Sequence, residues 1–268
     1  MHLKRWISGL VLAPILIFFT LYAPPWLFTL FILALIFIGL QEFYALAVPE
    51  IPSRDKNAGI LLSLLPPLAF YSPEARCFHA AVIVLIFFLF IQALRSPDPF
   101  DRRVNRASKQ LLGFLYVAVF LAQFILMRKF PSGQLWILLT LVAVFSGDTT
   151  AFYVGRAFGR KKLAPAISPG KTVEGGLGAV AGSAAGALLF KGLFFSQVPF
   201  LHALILGLGV GLFGQLGDLW ESVLKRSAQV KDSGTLIPGH GGLLDRIDSV
   251  LFAAPFVYYY AWIMGLGN

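Results

Sequence analysis

Charge is scarce in this chain. Asp, Glu, Lys and Arg make up 13% of its 268 residues, where soluble domains carry about 25%. With 57% hydrophobic residues and a mean hydropathy of +0.77, there is too little polar surface to cover a water-soluble fold. That excludes a soluble globular enzyme and a disordered chain. Cysteine is nearly absent. The single Cys77 cannot close an internal disulfide, so a disulfide scaffold is excluded too. Histidine is sparse, and there is no H-E-x-x-H, zinc-type or G-x-S-x-G pattern. His2, His79 and His202 have no ligand-like neighbours in the sequence.

What the chain does have is long, unbroken apolar runs. Transmembrane barrels show short alternating segments instead. The reading is an all-α, polytopic helical membrane protein. Nine apolar segments stand out: 7–22, 26–48, 58–71, 78–94, 111–127, 135–154, 173–195, 200–223 and 249–266. A span needs about 20 residues. The third segment is short and contains Pro66-Pro67, which suits a broken or re-entrant helix. The first follows Lys4-Arg5, as a signal peptide would, but no small-x-small cleavage site precedes a polar start, so it is read as an uncleaved span.

The loops test this count. If the N-terminus is cytoplasmic, eighteen of the 22 Lys and Arg fall on the inner side. The other four, Arg76, Arg128, Lys129 and Lys191, fall outside. This matches the positive-inside rule for nine spans. The formal net charge of +9 is then mostly topological, and no nucleic-acid partner is expected.

Residues 1–110 carry charge almost only in loops and read as N-terminal transmembrane helices. Residues 111–268 carry acids in or beside apolar helices and read as a catalytic region facing the cytoplasm. Seven of the 13 acidic residues lie between Asp148 and Asp248. A carboxylate at mid-bilayer costs about 2.5–3.5 kcal/mol on insertion scales, so it normally faces a partner, a metal or water. Asp148 and Asp218 are the clearest cases. Asp218 and Ser222 share a helical face, and Lys225 follows one turn later. Glu221 is placed to pair with Lys225.

The loop that follows carries Arg226, Lys231 and a Gly239-His240-Gly241-Gly242 stretch. Asp245, Arg246 and Asp248 then open the last helix. Glycines let backbone amides approach an anion. Two carboxylates beside such a phosphate site call for a divalent cation, and Mg²⁺ suits oxygen ligands. The bland alternative is that these acids cap the helix. Upstream, Ser168, Lys171 and Thr172 stand just ahead of a Gly-rich helix, where free amides favour anions. There the alternative is a positive-inside loop with Thr172 as cap. Gly209–Gly214 fits G-x-G-x-x-G but lies inside an apolar run with no strand before it, so it is rejected. Gly178, Gly182 and Gly186 read as close helix packing or a dimer seam.

The segment from Ser222 to Asp248, S-V-L-K-R-S-A-Q-V-K-D-S-G-T-L-I-P-G-H-G-G-L-L-D-R-I-D, resembles the signature of the phosphatidate cytidylyltransferases (CDP-diacylglycerol synthases) at all 27 positions. Ser168 to Gly175, S-P-G-K-T-V-E-G, and the G-D-T-T-A-F-Y-V-G-R run resemble two further family elements. The likeness covers the C-terminal 120 or so residues; the first 110 share only apolar helices. It implies transfer of the CMP moiety of CTP to phosphatidate, giving CDP-diacylglycerol and pyrophosphate, with Mg²⁺. It further implies a bacterial inner membrane, an active site facing the cytoplasm, and a homodimer as one assembly open to the family. On that reading Asp218 and Asp245 ligate metal, with Asp148 and Asp248 in support. Ser222 lies in or next to the ligand shell. Lys171, Lys225, Arg226, Lys231 and Arg246 neutralise phosphates, with Ser168 and Thr172 beside them. His240 donates to the leaving pyrophosphate. A CTP-dependent lipid kinase and an ion-coupled transporter are the readings from other classes.

Overall fold

The computed structural model describes residues 14–72, 74–236 and 241–267. His240 and the first half of the first apolar segment lie outside them. Helices dominate. After α1 (residues 14–22) come α2 (Pro25–Ala47), α3 (Ser53–Ala69), α4 (Ala75–Arg95) and α5 (Phe100–Gly113). A π-helical turn at Phe114–Val119 joins α5 to α6 (Phe120–Met127). Then follow α7 (Gly133–Phe158), α8 (Val173–Phe194), α9 (Phe200–Ser227) and α10 (Leu244–Ile263). The position drawn between two regions, residue 110, falls inside α5, which runs on without a break.

Six helical stretches among the described residues are long and apolar enough to cross a membrane: α2, α4, the α5–α6 unit, α7, α8 and α9. The three other apolar segments are helical in their described parts and are not among these six. The described part of α1 is short. α3 has 17 residues, about 25 Å at 1.5 Å per residue, against a hydrocarbon core of about 30 Å. The helix continues through Pro66-Pro67 and ends two residues later, at Ala69. α10 is long enough, but it opens on Asp245, Arg246 and Asp248.

One element is not helical. Lys162–Ala164 (β1) and Ser168–Thr172 (β2) pair antiparallel in the basic connection between α7 and α8. An all-α reading has no place for this hairpin. Its strands are too short for an alternating pattern to stand out among lysines and prolines.

Packing differs between the two ends of the chain. The core of α2, α6, α7 and α10 is built from large side chains such as Ile36, Leu40, Phe43, Leu121, Leu139 and Leu251. The α7–α8–α9 contact is built from small ones. A Cβ on Gly182 would stand 2.3 Å from Thr150 Oγ1, and one on Gly186 would stand 2.5 Å from Ser146 Oγ, both on α7. A Cβ on Gly178 would meet Val154 at 2.8 Å. The stripe of glycines is thus a packing seam within the chain.

The C-terminal ends of α2, α7 and α9 and the N-terminal ends of α8 and α10 lie at one end of the bundle, together with the hairpin.

Candidate active site

A cavity of about 880 Å³ opens at that end. Twelve of the thirteen residues singled out in the sequence line it: Asp148, Ser168, Lys171, Thr172, Asp218, Ser222, Lys225, Arg226, Lys231, Asp245, Arg246 and Asp248. The thirteenth, His240, is the one outside the described residues. Three segments well separated in the chain therefore converge on one space.

Two acids sit deep, and four cations sit outside. Glu221 is fully buried, and the Asp245 side chain is 5% exposed. Arg156, Arg226, Lys231 and Arg246 are exposed. A carboxylate oxygen from each of Asp218, Glu221 and Asp248 lies within 4.8 Å of the others. Two features of the chain produce this cluster. Asp218 and Glu221 are three residues apart on α9, so they share a face. Gly217 lacks a side chain, which lets the α10 backbone press in: a Cβ there would be 2.3 Å from the Asp248 carbonyl oxygen.

Two lysines moderate the repulsion. Lys171 Nζ, carried on β2, is 2.7 Å from Asp218 Oδ2. Lys225 Nζ donates to Glu221 Oε2 at 2.6 Å and to Asp245 Oδ1 at 2.7 Å. Among the described residues, Glu221 Oε1 is buried with no hydrogen-bond partner. A cluster of three carboxylates with one orphaned buried oxygen offers an all-oxygen donor set that fits a hard divalent cation.

Several of these side chains have partners within the chain. Asp245 was expected to ligate metal, yet both its oxygens are engaged. Oδ1 accepts from Lys225, while Oδ2 accepts from Ser233 N, Ser233 Oγ and Gly242 N. It ties Ser233 and Gly242 to the start of α10, and the acids grouped with Asp218 are Asp248 and Glu221. Lys225 was expected to meet phosphates, but its ammonium is held between two carboxylates. Thr172 caps α8, accepting from Gly175 N at 3.1 Å, so its hydroxyl is committed to the helix start. Arg226 donates to the Ile167 and Val230 carbonyls and ties the hairpin turn to the end of α9. Asp148 lies 3.5 Å from Ser249 Oγ, which joins α7 to α10. The glycine loop was read as an amide cradle for phosphate. Its Gly242, Leu243 and Leu244 amides instead donate to carboxylates of the chain itself.

Two of those amides lead to a residue the sequence reading passed over. Glu42, on α2, accepts from Leu243 N at 2.8 Å and Leu244 N at 2.9 Å. Its signal was available: it is an acid inside an apolar segment, the same warrant that singled out Asp148. Glu221 was read only as a partner of Lys225. Glu174, in the first turn of α8, receives the Arg160 and Lys161 amides and holds the hairpin base.

The fold and site together define a multi-pass helical membrane protein with an acidic, cation-rimmed cavity at the basic end of its bundle. Comparison with known proteins makes this specific. The model of the cytidylyltransferase family matches residues 3–264, and the chain belongs to that family. It is 34% identical over 263 residues to the phosphatidate cytidylyltransferase of Bacillus subtilis (strain 168), covering 96% of each chain. It is 32% identical to the phosphatidate cytidylyltransferases of Synechocystis sp. and Pseudomonas aeruginosa, with 98% of each chain covered in both cases.

Proposed function

We propose that this chain transfers the CMP moiety of CTP to phosphatidate, releasing pyrophosphate and leaving CDP-diacylglycerol in the membrane. One observation carries the chemistry: the Asp218–Glu221–Asp248 cluster reaches, through Asp218 and Asp248, the same cavity that the exposed cations line at the basic end of the bundle. A lipid phosphomonoester and a nucleoside triphosphate are both polyanions. Their meeting place has to open to bilayer and water and has to manage negative charge.

A phosphatidate oxygen attacks the α-phosphorus of CTP. The bond from that phosphorus to the oxygen bridging to the β-phosphate breaks, and pyrophosphate departs. Positioning and electrostatics dominate such transfers. Asp218, Asp248 and Glu221 would hold Mg²⁺, which when bound supplies charge neutralisation and polarises the phosphoryl oxygens. Lys171 is paired with Asp218 in this state and stands where it can pass to an incoming phosphate. Arg156, Arg226, Lys231 and Arg246 form the rim that receives the triphosphate, with Ser168 and Ser222 as neutral donors. Lys225 and Asp245 keep the buried acids in register.

The same reading places nine helices across a bacterial inner membrane, with the N-terminus and the cavity on the cytoplasmic side. Residues 1–110 supply mainly lipid-facing scaffold, and 111–268 the chemistry. A homodimer would have to use a surface other than the α8 glycines, which face α7.

The test uses purified protein with phosphatidate, each of the four nucleoside triphosphates, and Mg²⁺ present or chelated. Label at the α-phosphate of CTP should enter lipid, and label at the γ-phosphate should leave as pyrophosphate. γ-Label in lipid would make the protein a kinase. Turnover unaffected by chelation would remove the metal from the scheme. Reporters fused after Arg106, Lys162 and Lys231 should read cytoplasmic, and one at the C-terminus should read the opposite side; a cytoplasmic C-terminus would overturn nine spans.

A further inference from the structure

Helix α10 delivers Asp245 and Asp248 to the cavity, and of the amides at its start its own Asp245 accepts only from Gly242 N, leaving the next two to other partners. Its N-cap residue is Leu243, whose side chain offers no acceptor. A helix start leaves amides that need partners. Here the partner is Glu42, about two hundred residues away in sequence, on the last turns of α2. Its Oε1 accepts from Leu243 N at 2.8 Å, and its Oε2 accepts from Leu244 N at 2.9 Å. Ser233 Oγ lies 3.1 Å from Glu42 Oε2 and 2.9 Å from Asp245 Oδ2, so one hydroxyl stands between the two carboxylates. The loop is shaped to admit Glu42. A Cβ on Gly242 would be 2.5 Å from Glu42 Oε2, and one on Gly234 would be 3.0 Å from Oε1.

We propose that Glu42 is a positioning residue for the transfer reaction: by receiving the first amides of α10 on both carboxylate oxygens, it sets the height and rotation at which Asp248 meets Asp218 and Glu221. The inference rests on the proposed cytidylyl transfer. One residue of slip along a helix moves a side chain about 1.5 Å and turns it about 100°. Misplacement of about 1 Å can cost on the order of 100-fold in rate. A charged acceptor from another helix also couples the N-terminal helices to the site, a role that lipid-facing scaffold alone would not have.

The experiment compares wild type, Glu42→Gln and Gly234→Ala, with Glu50→Gln as a loop-acid control. Glu42→Gln keeps the shape but turns an NH₂ toward one of the two amides. Gly234→Ala, whose Cβ has Glu42 atoms as its three nearest neighbours, pushes on the same carboxylate from the loop side and serves if Glu42→Gln does not fold. Misplacing Asp248 should reduce kcat at least about 10-fold and raise KM for CTP about fivefold, leaving KM for phosphatidate within about twofold. Amide exchange should quicken in the first turn of α10 and stay unchanged in α8. Glu50→Gln should match wild type. Unchanged kcat and KM in both variants would overturn the proposal. So would a fall in kcat that only tracks a smaller folded fraction, with both KM values unchanged, since that is a plain structural clamp. If wild type itself made no CDP-diacylglycerol, the functional reading would fail before any variant was compared.

Discussion

Helices α4 and α8 are similar in length and both read as spans, yet they are built from different residues. α4 buries only Leu85, Leu89 and Gln92 and turns Phe87, Phe90 and Leu94 outward. α8 buries glycines, alanines and a serine. Bulky side chains keep helix axes about 8–10 Å apart. Small ones let backbones approach, as membrane helices commonly do. Where they approach, carbonyls and short polar groups come within reach of one another. Gly207 lies against Ala184 and Gly211 against Val180 in the α8–α9 contact, and Gly217 lies against the Asp248 carbonyl in the α9–α10 contact. The charged cavity lies where a small-residue contact brings α9 against α10, while Glu42 of α2, outside the cavity lining, holds the start of α10.

The largest effect should separate two kinds of acid within the cavity. Asp218→Asn and Asp248→Asn should each lower turnover at least about 100-fold, since supporting contacts of a metal site alone are worth about 10–100-fold. Their unfolding temperatures should hold or rise, because a neutral amide is easier to bury than a carboxylate. Asp245→Asn should lose activity and stability together. Breaking a buried pair costs up to about 3–5 kcal/mol, and Lys225 would be left with Glu221 alone. Equal melting behaviour in all three would dissolve the distinction between ligand and frame.

A middle-sized effect concerns the seam. Gly182→Val drives a side chain into Thr150 and should cost about 1–3 kcal/mol as overpacking. Gly192→Val, on the same helix with nothing within 4 Å, should cost nothing from packing. Thermal unfolding of the two variants measures the difference. Similar values would mean that α8 packs no more tightly than the lipid-facing helices.

The smallest effect lies at the rim. Lys171→Ala should raise KM for CTP about tenfold, the worth of one charge-assisted hydrogen bond of about 1.5 kcal/mol. Lys171→Arg should restore part of it, a planar guanidinium being a poor substitute for a compact ammonium. Lys161→Ala should stay near wild type: its side chain is exposed, and its contacts run through the backbone, the amide to Glu174 and the carbonyl from Val173 N. Matching kinetics for Lys161→Ala and Lys171→Ala would reduce the hairpin to a topological basic loop.

Much of the fold and of the cavity was legible. Each of the nine apolar segments lies on a helix in its described part, because hydropathy sums over neighbours and needs no partner. Asp148 and Asp218 stood out because a carboxylate among apolar residues is costly wherever the helix sits, and Asp248 because it follows Asp245 beside a glycine-rich basic loop. The β1–β2 hairpin did not stand out, since its eight strand residues are mostly polar or special. Glu42 was passed over because attention went to the acid-rich half, although it met the same test.

The sequence by itself determined that the chain is a helical membrane protein, which end of it is basic, and which residues bear charge at a cost. All of these are properties of composition and local spacing. It did not determine which charge faces which. Asp245 and Asp248 are three residues apart and both read as metal ligands. Only the approach of α9 and α2 to α10 decides that one is ringed by Lys225, Ser233 and Gly242 while the other meets Asp218 and Glu221. Likewise, amides that looked ready for phosphate are filled by a carboxylate from α2. Electrostatic and hydrogen-bond partners act over a few ångströms of space, and helices that pack on glycine bring those partners from anywhere in the chain.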